Sequence, residues 1–155
     1  MTPAGRRFSL EEIADRLEIQ DLVLRYATAI DTHEWALLDE VFTADAVCDY
    51  TESGGIAGAW PEVRPWLERV VPTLREKLHL VGAPFLRFDG ERGRATGRTA
   101  LYNPNAVPLP DGSRRSIVVA GCYEDEFVRT PLGWRIARRV ERQSVRDERR
   151  DPPRA

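Results

Sequence analysis

Two side chains carry the types needed for proton transfer. Asp31 closes the stretch YATAID (26–31), directly after Ala27, Ala29 and Ile30, where a globular helix normally buries its apolar stripe. His79 stands in KLHLVG (77–82), among Leu78, Leu80 and Val81. A lone histidine in such company is usually a core group with satisfied hydrogen bonds. Beside a carboxylate it becomes a candidate general base, because the carboxylate fixes its tautomer and tunes its basicity. Asp31 is the candidate partner, so the chemistry to expect is acid–base. The other histidine, His33, falls at the exposed start of a short helix and reads as solvated.

Other chemistries lack support. Two histidines without an E-x-x-H pattern or paired cysteines give no zinc spacing, so no metal site is expected. There is no G-x-G-x-x-G, Walker loop or G-x-S-x-G. Cys48 and Cys122 stand far apart in strand-like surroundings and read as reduced core residues. Trp35, Trp60, Trp66 and Trp134 occupy helical or strand spacings typical of core aromatics.

These residues need elements to position them. Ser9 and Glu12 form a capping pattern, and apolar residues at helical spacing predict a helix from Leu10 to Ile30. A shorter helix is expected over Glu34–Phe42, a strand over Ala46–Tyr50, and a third helical stretch over Pro65–Leu78, kinked at Pro72. Strands follow over Leu80–Phe88, Arg94–Asn103, Ser116–Arg129 and Trp134–Val145, with PNAVPLPDGSR (104–114) as a loop. Helices before an antiparallel meander predict an α+β fold: a cone-shaped, curved, mostly antiparallel sheet wrapped around N-terminal helices, with a single pocket.

Alternation assigns faces on the last two strands. Ile117, Val119, Gly121, Tyr123, Asp125 and Phe127 share one face, so Tyr123 and Asp125 are expected to look inward. The structural alternative for Asp125 is an ion pair with an arginine at the sheet edge. Strict alternation from Trp134 puts Ile136, Arg138, Val140 and Arg142 on one face, with Arg142 reaching a cavity rim. Val118, Ala120, Cys122 and Val128 form the opposite, apolar face, which predicts a homodimer or homotrimer.

The bulk numbers bound the rest. A chain of 155 residues suits one domain, expected over 8–147 with flexible termini at 1–7 and 148–155. With 23 basic and 25 acidic residues there is no net charge to draw nucleic acid or an anionic membrane. No apolar run approaches a membrane span and no signal peptide is evident, so the expected compartment is the cytoplasm.

With this element order, YATAIDTHEW (26–35), LDEVFTADAV (38–47), KLHLVG (77–82), the Asp89-Gly90 turn and GCYEDEF…GWRI resemble the SnoaL-like branch of the nuclear transport factor 2-like superfamily. The resemblance covers roughly Phe8 to Asp147. Dehydratases of that superfamily have a tyrosine five residues before an aspartate, matched by Tyr26 and Asp31, and a catalytic histidine matched by His79. It further implies a pocket tyrosine at Tyr50 and an arginine at Arg142. A second histidine found in some members is absent, and Asn103 or Asn105 stands in that neighbourhood. The resemblance implies a cofactor-independent dehydratase, isomerase or cyclase acting on a hydrophobic hydroxy-carbonyl compound of polyketide or steroid type. Asp31, His79, Tyr26 and Tyr50 would be catalytic; Asn103, Tyr123, Asp125, Arg142 and Trp35 would bind substrate. A non-catalytic lipophile binder and an accessory subunit like the small subunit of ring-hydroxylating oxygenases are the alternatives.

Overall fold

A computed structural model describes residues 7–91 and 93–153. Helix α1 spans Leu10–Thr32. Its cap is the expected one, with Ser9 Oγ accepting from the Glu12 N–H at 3.1 Å. Only one apolar stripe of α1 is buried, through Ile19, Leu22, Val23, Tyr26 and Ile30, whereas Ile13, Leu17 and Leu24 lie exposed. A 3₁₀ segment, Trp35–Glu40, takes the place of the expected second helix. Strand β1 (Phe42–Asp49) follows, then β2 (Ala57–Ala59) and helix α2 (Trp60–Val70). Pro61, not Pro65, occupies the first turn of α2, and the helix closes through a 3₁₀ turn at Val71–Thr73, around Pro72.

The segment expected to continue that helix instead forms β3 (Glu76–Lys77), followed by β4 (Leu80–Val81) and β5 (Phe85–Phe88). Three long strands complete the sheet: β6 (Arg94–Pro108), β7 (Arg114–Thr130) and β8 (Gly133–Asp151). The order is β2-β1-β8-β7-β6-β3, and β4 and β5 also pair with β6. Among the described residues, only the β1–β8 pair is parallel. The architecture is therefore α+β, with a curved eight-stranded sheet around the helices, as the element order predicts.

Two expectations fail here. Residues 104–108 belong to β6, not to a loop, because the missing N–H of Pro104 falls in the gap between β3 and β4, while its carbonyl accepts from Leu78 N–H at 3.1 Å. Residues 148–151, expected to be loose, are the end of β8 and pair with Arg114–Ile117. The expectation for residues 1–6, 154 and 155 lies outside the described residues.

Curvature comes from two bulges in β8. Ala120 and Gly121 pair with Val145 and Gln143, leaving Ser144 extra; Glu126 and Phe127 pair with Arg138 and Ile136, leaving Ala137 extra. The first bulge requires glycine at 121, where a Cβ would sit 1.8 Å from the Arg142 carbonyl oxygen. The second reverses the side-chain parity of β8. Trp134 and Ile136 face the core, but beyond Ala137 it is Arg139 and Glu141 that turn inward, and Arg138 and Arg142 that turn out.

Candidate active site

Inside the curved sheet lies a cavity of about 380 Å³, within the range of small-molecule sites. Its apolar wall comes from α2 and the following turn, with Leu67, Val70 and Val71, and from Ile117 and Val119 of β7. Its polar wall holds Tyr26 of α1, Tyr50 at the end of β1, His79 just before β4, Asn103 and Asn105 of β6, Tyr123 of β7 and Glu141 of β8.

The carboxylate and the imidazole meet. Asp31 Oδ1 lies 2.7 Å from His79 Nδ1, and Asp31 Oδ2 accepts the His79 backbone N–H at 2.8 Å. No break in the helix is needed: α1 runs through Asp31 to Thr32, and His33 ends it in the left-handed region at φ 63°. Asp31 thus stands behind His79, and the imidazole alone reaches the cavity. Burial raises the Asp31 carboxyl, but the hydrogen bonds from the ring and backbone of His79, with the ring's charge, outweigh it and hold it below the usual value. On the other side of the ring, Asn103 Nδ2 lies 3.1 Å from Nε2. An amide N–H donating to Nε2 and a carboxylate accepting from Nδ1 specify one tautomer, with the proton on Nδ1 and the lone pair of Nε2 facing the cavity.

The phenols form a second group. Tyr26 OH donates to Tyr50 OH at 3.1 Å, and the Tyr26 ring meets Tyr123 edge-on at 5.7 Å. Burial pushes Tyr26 up to about 12, against the opposing charge of Arg139, and pushes Tyr50 and Tyr123 well above the ordinary tyrosine value. All three are donors, not bases, near neutral pH. Two acceptors in the same wall are unspent: Asn103 Oδ1 and Asn105 Oδ1 are buried without a partner among the described residues.

Three expected substrate-binding residues stand elsewhere. Asp125 faces inward as expected but is sealed beneath the cavity floor in a bidentate pair with Arg139, 2.8 Å at both contacts, with both side chains fully buried. Its partner comes from the sheet interior, not the edge, and the Arg139 guanidinium lies 4.2 and 4.0 Å from the Tyr26 and Tyr123 ring centroids. Arg142 projects outward to Glu52 and Glu124 because the Ala137 bulge shifts its parity. Trp35 stacks on His33 at 5.4 Å and packs against the core rather than the cavity. The residue that strict alternation conceals is Glu141. The one cue in the sequence is the adjacent pair Arg138-Arg139 between Ile136 and Val140, which breaks the apolar period.

Residues 11–140 match the SnoaL-like domain. The chain belongs to the SnoaL-like family. An uncharacterized protein of Mycobacterium tuberculosis (strain H37Rv) is 43% identical over 134 residues, covering 86% of this chain and 88% of the relative. Among solved structures, a hexachlorocyclohexane dehydrochlorinase (LinA, type 2) superposes with a TM-score of 0.79 at 21% identity, covering 94% of this chain and 96% of the other. A protein described as a putative scytalone dehydratase from Novosphingobium aromaticivorans superposes with a TM-score of 0.74 at 17% identity, covering 92% and 96%. At those identities the two structures establish the shared fold. Within this SnoaL-like domain, the Asp31–His79–Asn103 chain rests on the geometry above.

Proposed function

We propose that this SnoaL-like protein is a lyase or isomerase that works without a cofactor on a hydrophobic hydroxy-carbonyl compound. The observation that carries the reading is the tautomer lock: Asp31 holds the Nδ1 proton, so the His79 Nε2 lone pair lies on the cavity side, where it accepts from Asn103. Substrate displaces the Asn103 N–H, and the lone pair takes an acidic proton beside the substrate carbonyl. The neutral phenol of Tyr50, which accepts from Tyr26 and lines the cavity, can donate its own hydrogen to the oxygen on which charge develops, and Tyr26 supports it from behind. When the ring carries both protons, a swivel of the Asn103 amide presents its unpartnered Oδ1 to Nε2–H. The unspent oxygens of Asn103 and Asn105 suit hydroxyl hydrogens on the substrate. Elimination is also compatible with the scaffold, since the same fold serves a dehydrochlorinase.

The test is a panel of bicyclic β-hydroxy ketones and β-hydroxy thioesters, followed by the absorbance of the conjugated product. Wild-type protein should turn over at least one member, and His79→Gln should lower that rate at least about a hundredfold. No conversion anywhere in the panel, or equal rates for both proteins, would sink this reading.

A further inference from the structure

Glu141 is a carboxyl the dyad does not use. It is 5% exposed, lines the cavity, and pairs across the sheet with Tyr123. Among the described residues it has no ion-pair partner, because Arg139 on its own strand is committed to Asp125 and Arg146 to Glu148. Strand β8 is separated from β4 by β7 and β6. On a flat sheet that is roughly 14 Å across, at about 4.8 Å per strand, with an offset along the strands of roughly 13 Å, from the level of Asn103 to that of Thr99, and the bulged, curved sheet brings the two walls toward each other. Glu141 and His79 therefore stand on different parts of one concave wall, with substrate space between them.

We propose that Glu141 is the second proton carrier of this site, the acid that protonates the substrate's departing hydroxyl while His79 acts as the base. The proposal rests on the elimination reading of the cavity. His79 Nε2 takes the C–H proton beside the carbonyl, and that electron pair becomes the new C=C bond. The C–O bond to the β-hydroxyl breaks, and the oxygen leaves as water with the proton from Glu141. Imidazolium and carboxylate remain, and the proton passes from His79 back to Glu141 through solvent as product departs. The sum is loss of one water, with no oxidant or reductant. The substrate class follows: the leaving oxygen must stand on the carbon next to the one that loses its proton, with room between the two groups.

The surroundings agree with a carboxyl that holds its proton more tightly than an exposed glutamate does. Burial raises Glu141, opposed by a hydrogen bond with Ser53 and by the charges of His79 and Arg139, while Glu52 raises it further, and the net direction is upward. The neutral phenols of Tyr26, Tyr50 and Tyr123 line the same wall. A carboxyl raised by burial thus shares one cavity with an imidazole whose Nδ1 proton is held by Asp31.

The experiment has two arms. Protein labelled at the glutamate carboxyl carbon is titrated by NMR from about pH 4 to about pH 9. One resonance, absent from Glu141→Gln, should titrate above the usual glutamate value of about 4.3. Titration of that resonance at or below this value overturns the proposal. In the second arm, Glu141→Gln is assayed on the converted member of the panel. Its kcat should fall at least about tenfold, with KM little changed, and the alkaline fall of the kcat/KM profile should disappear. His79→Gln should instead lose the rise on the acid side. A Glu141→Gln enzyme with wild-type kcat and an intact alkaline limb overturns the proposal but leaves His79 in place. Glu141→Asp, which keeps a carboxyl, should retain the alkaline limb and so separates proton delivery from packing. If the wild type converts nothing, the elimination reading fails by itself, and the NMR titration decides whether Glu141 carries a proton.

Discussion

Replacing Asp31 by asparagine exchanges one oxygen for an NH₂ group and should reverse the chemistry of His79. The wild-type carboxylate accepts twice, from Nδ1–H at 2.7 Å and from the backbone N–H at 2.8 Å. An asparagine can keep only one acceptor, and the backbone N–H, whose hydrogen is fixed, will take it. The new NH₂ then faces Nδ1 and can only donate, so the ring must move its proton to Nε2. With Nε2–H pointing at the cavity the base is lost, although shape and volume are kept. The same tautomer argument underlies a loss of about 10⁴ in kcat when the aspartate of a serine-protease triad is made asparagine, and general acid–base catalysis is worth roughly 10² to 10⁴. Asp31→Asn should therefore lower turnover of the panel substrate at least about a hundredfold. Both charge-assisted hydrogen bonds become neutral, at a combined cost of about 1–2 kcal/mol for this partly exposed carboxylate, or roughly 2–8 °C in Tm for a domain of this size. The sign with pH follows from the depressed carboxyl of Asp31. Its stabilisation is full above the unfolded value of about 3.9 and is lost as pH falls through the lower folded value, so the gap between wild type and variant should close in acid. Nitrogen NMR of His79 reports the tautomer directly. Retained turnover, or a proton still on Nδ1 in the variant, would refute the argument.

Two further expectations concern the frame around the site. Asp125→Asn leaves the Arg139 guanidinium buried without its counter-charge and should cost about 3–5 kcal/mol in urea unfolding, whereas Asp125→Leu combined with Arg139→Met should cost clearly less; equal losses would show that the pair is not the cause. On the outer face Leu80, Tyr102, Ala120 and Val145 are direct cross-strand neighbours, and Leu80, Tyr102 and Val145 are about half or more exposed, at 60%, 48% and 56%. Sedimentation at tens of micromolar should find a homodimer or homotrimer that Tyr102→Glu dissociates, and a monomeric wild type would remove this face as an interface.

What the sequence discloses here depends on the range of the interaction. The Ser9–Glu12 cap is local, and it reads correctly because both partners lie within one turn. The order of helices before strands fixes the α+β class, since each element's period is its own property. The Asp31–His79 pair spans 48 positions. It was legible because so few residue types can serve a buried histidine, and because the resemblance to the SnoaL-like family placed both residues. Glu76–Lys77 and residues 104–108 depart from expectation for a shared reason: local propensity suggests helix and loop, while pairing between Lys77 and Asn105 and between Asn105 and Ile117 makes both strand.

The inner wall of β8 follows from a longer-range cause still. Alternation is a rule for an unbroken ladder, and one extra residue at Ala137 moves the side chains from Arg138 up to the Ser144 bulge to the face opposite the one strict alternation assigns. That rule puts Arg142 at the cavity; the bulge turns Arg142 out and brings Glu141 and Arg139 in. The cost of an unpaired residue in the ladder is offset by what the exchange achieves. Arg139 comes beneath Tyr26 and Tyr123 to meet Asp125, and Glu141 enters the cavity that holds His79. Deleting Ala137 should therefore make the ladder regular while keeping Arg138 opposite Glu126, Arg139 opposite Asp125 and Glu141 opposite Tyr123, so the buried ion pair should survive, and urea unfolding of the variant should show no loss on the scale expected for Asp125→Asn. The candidate chemistry on β8 is thus a consequence of sheet geometry, which no periodicity within the strand itself can report.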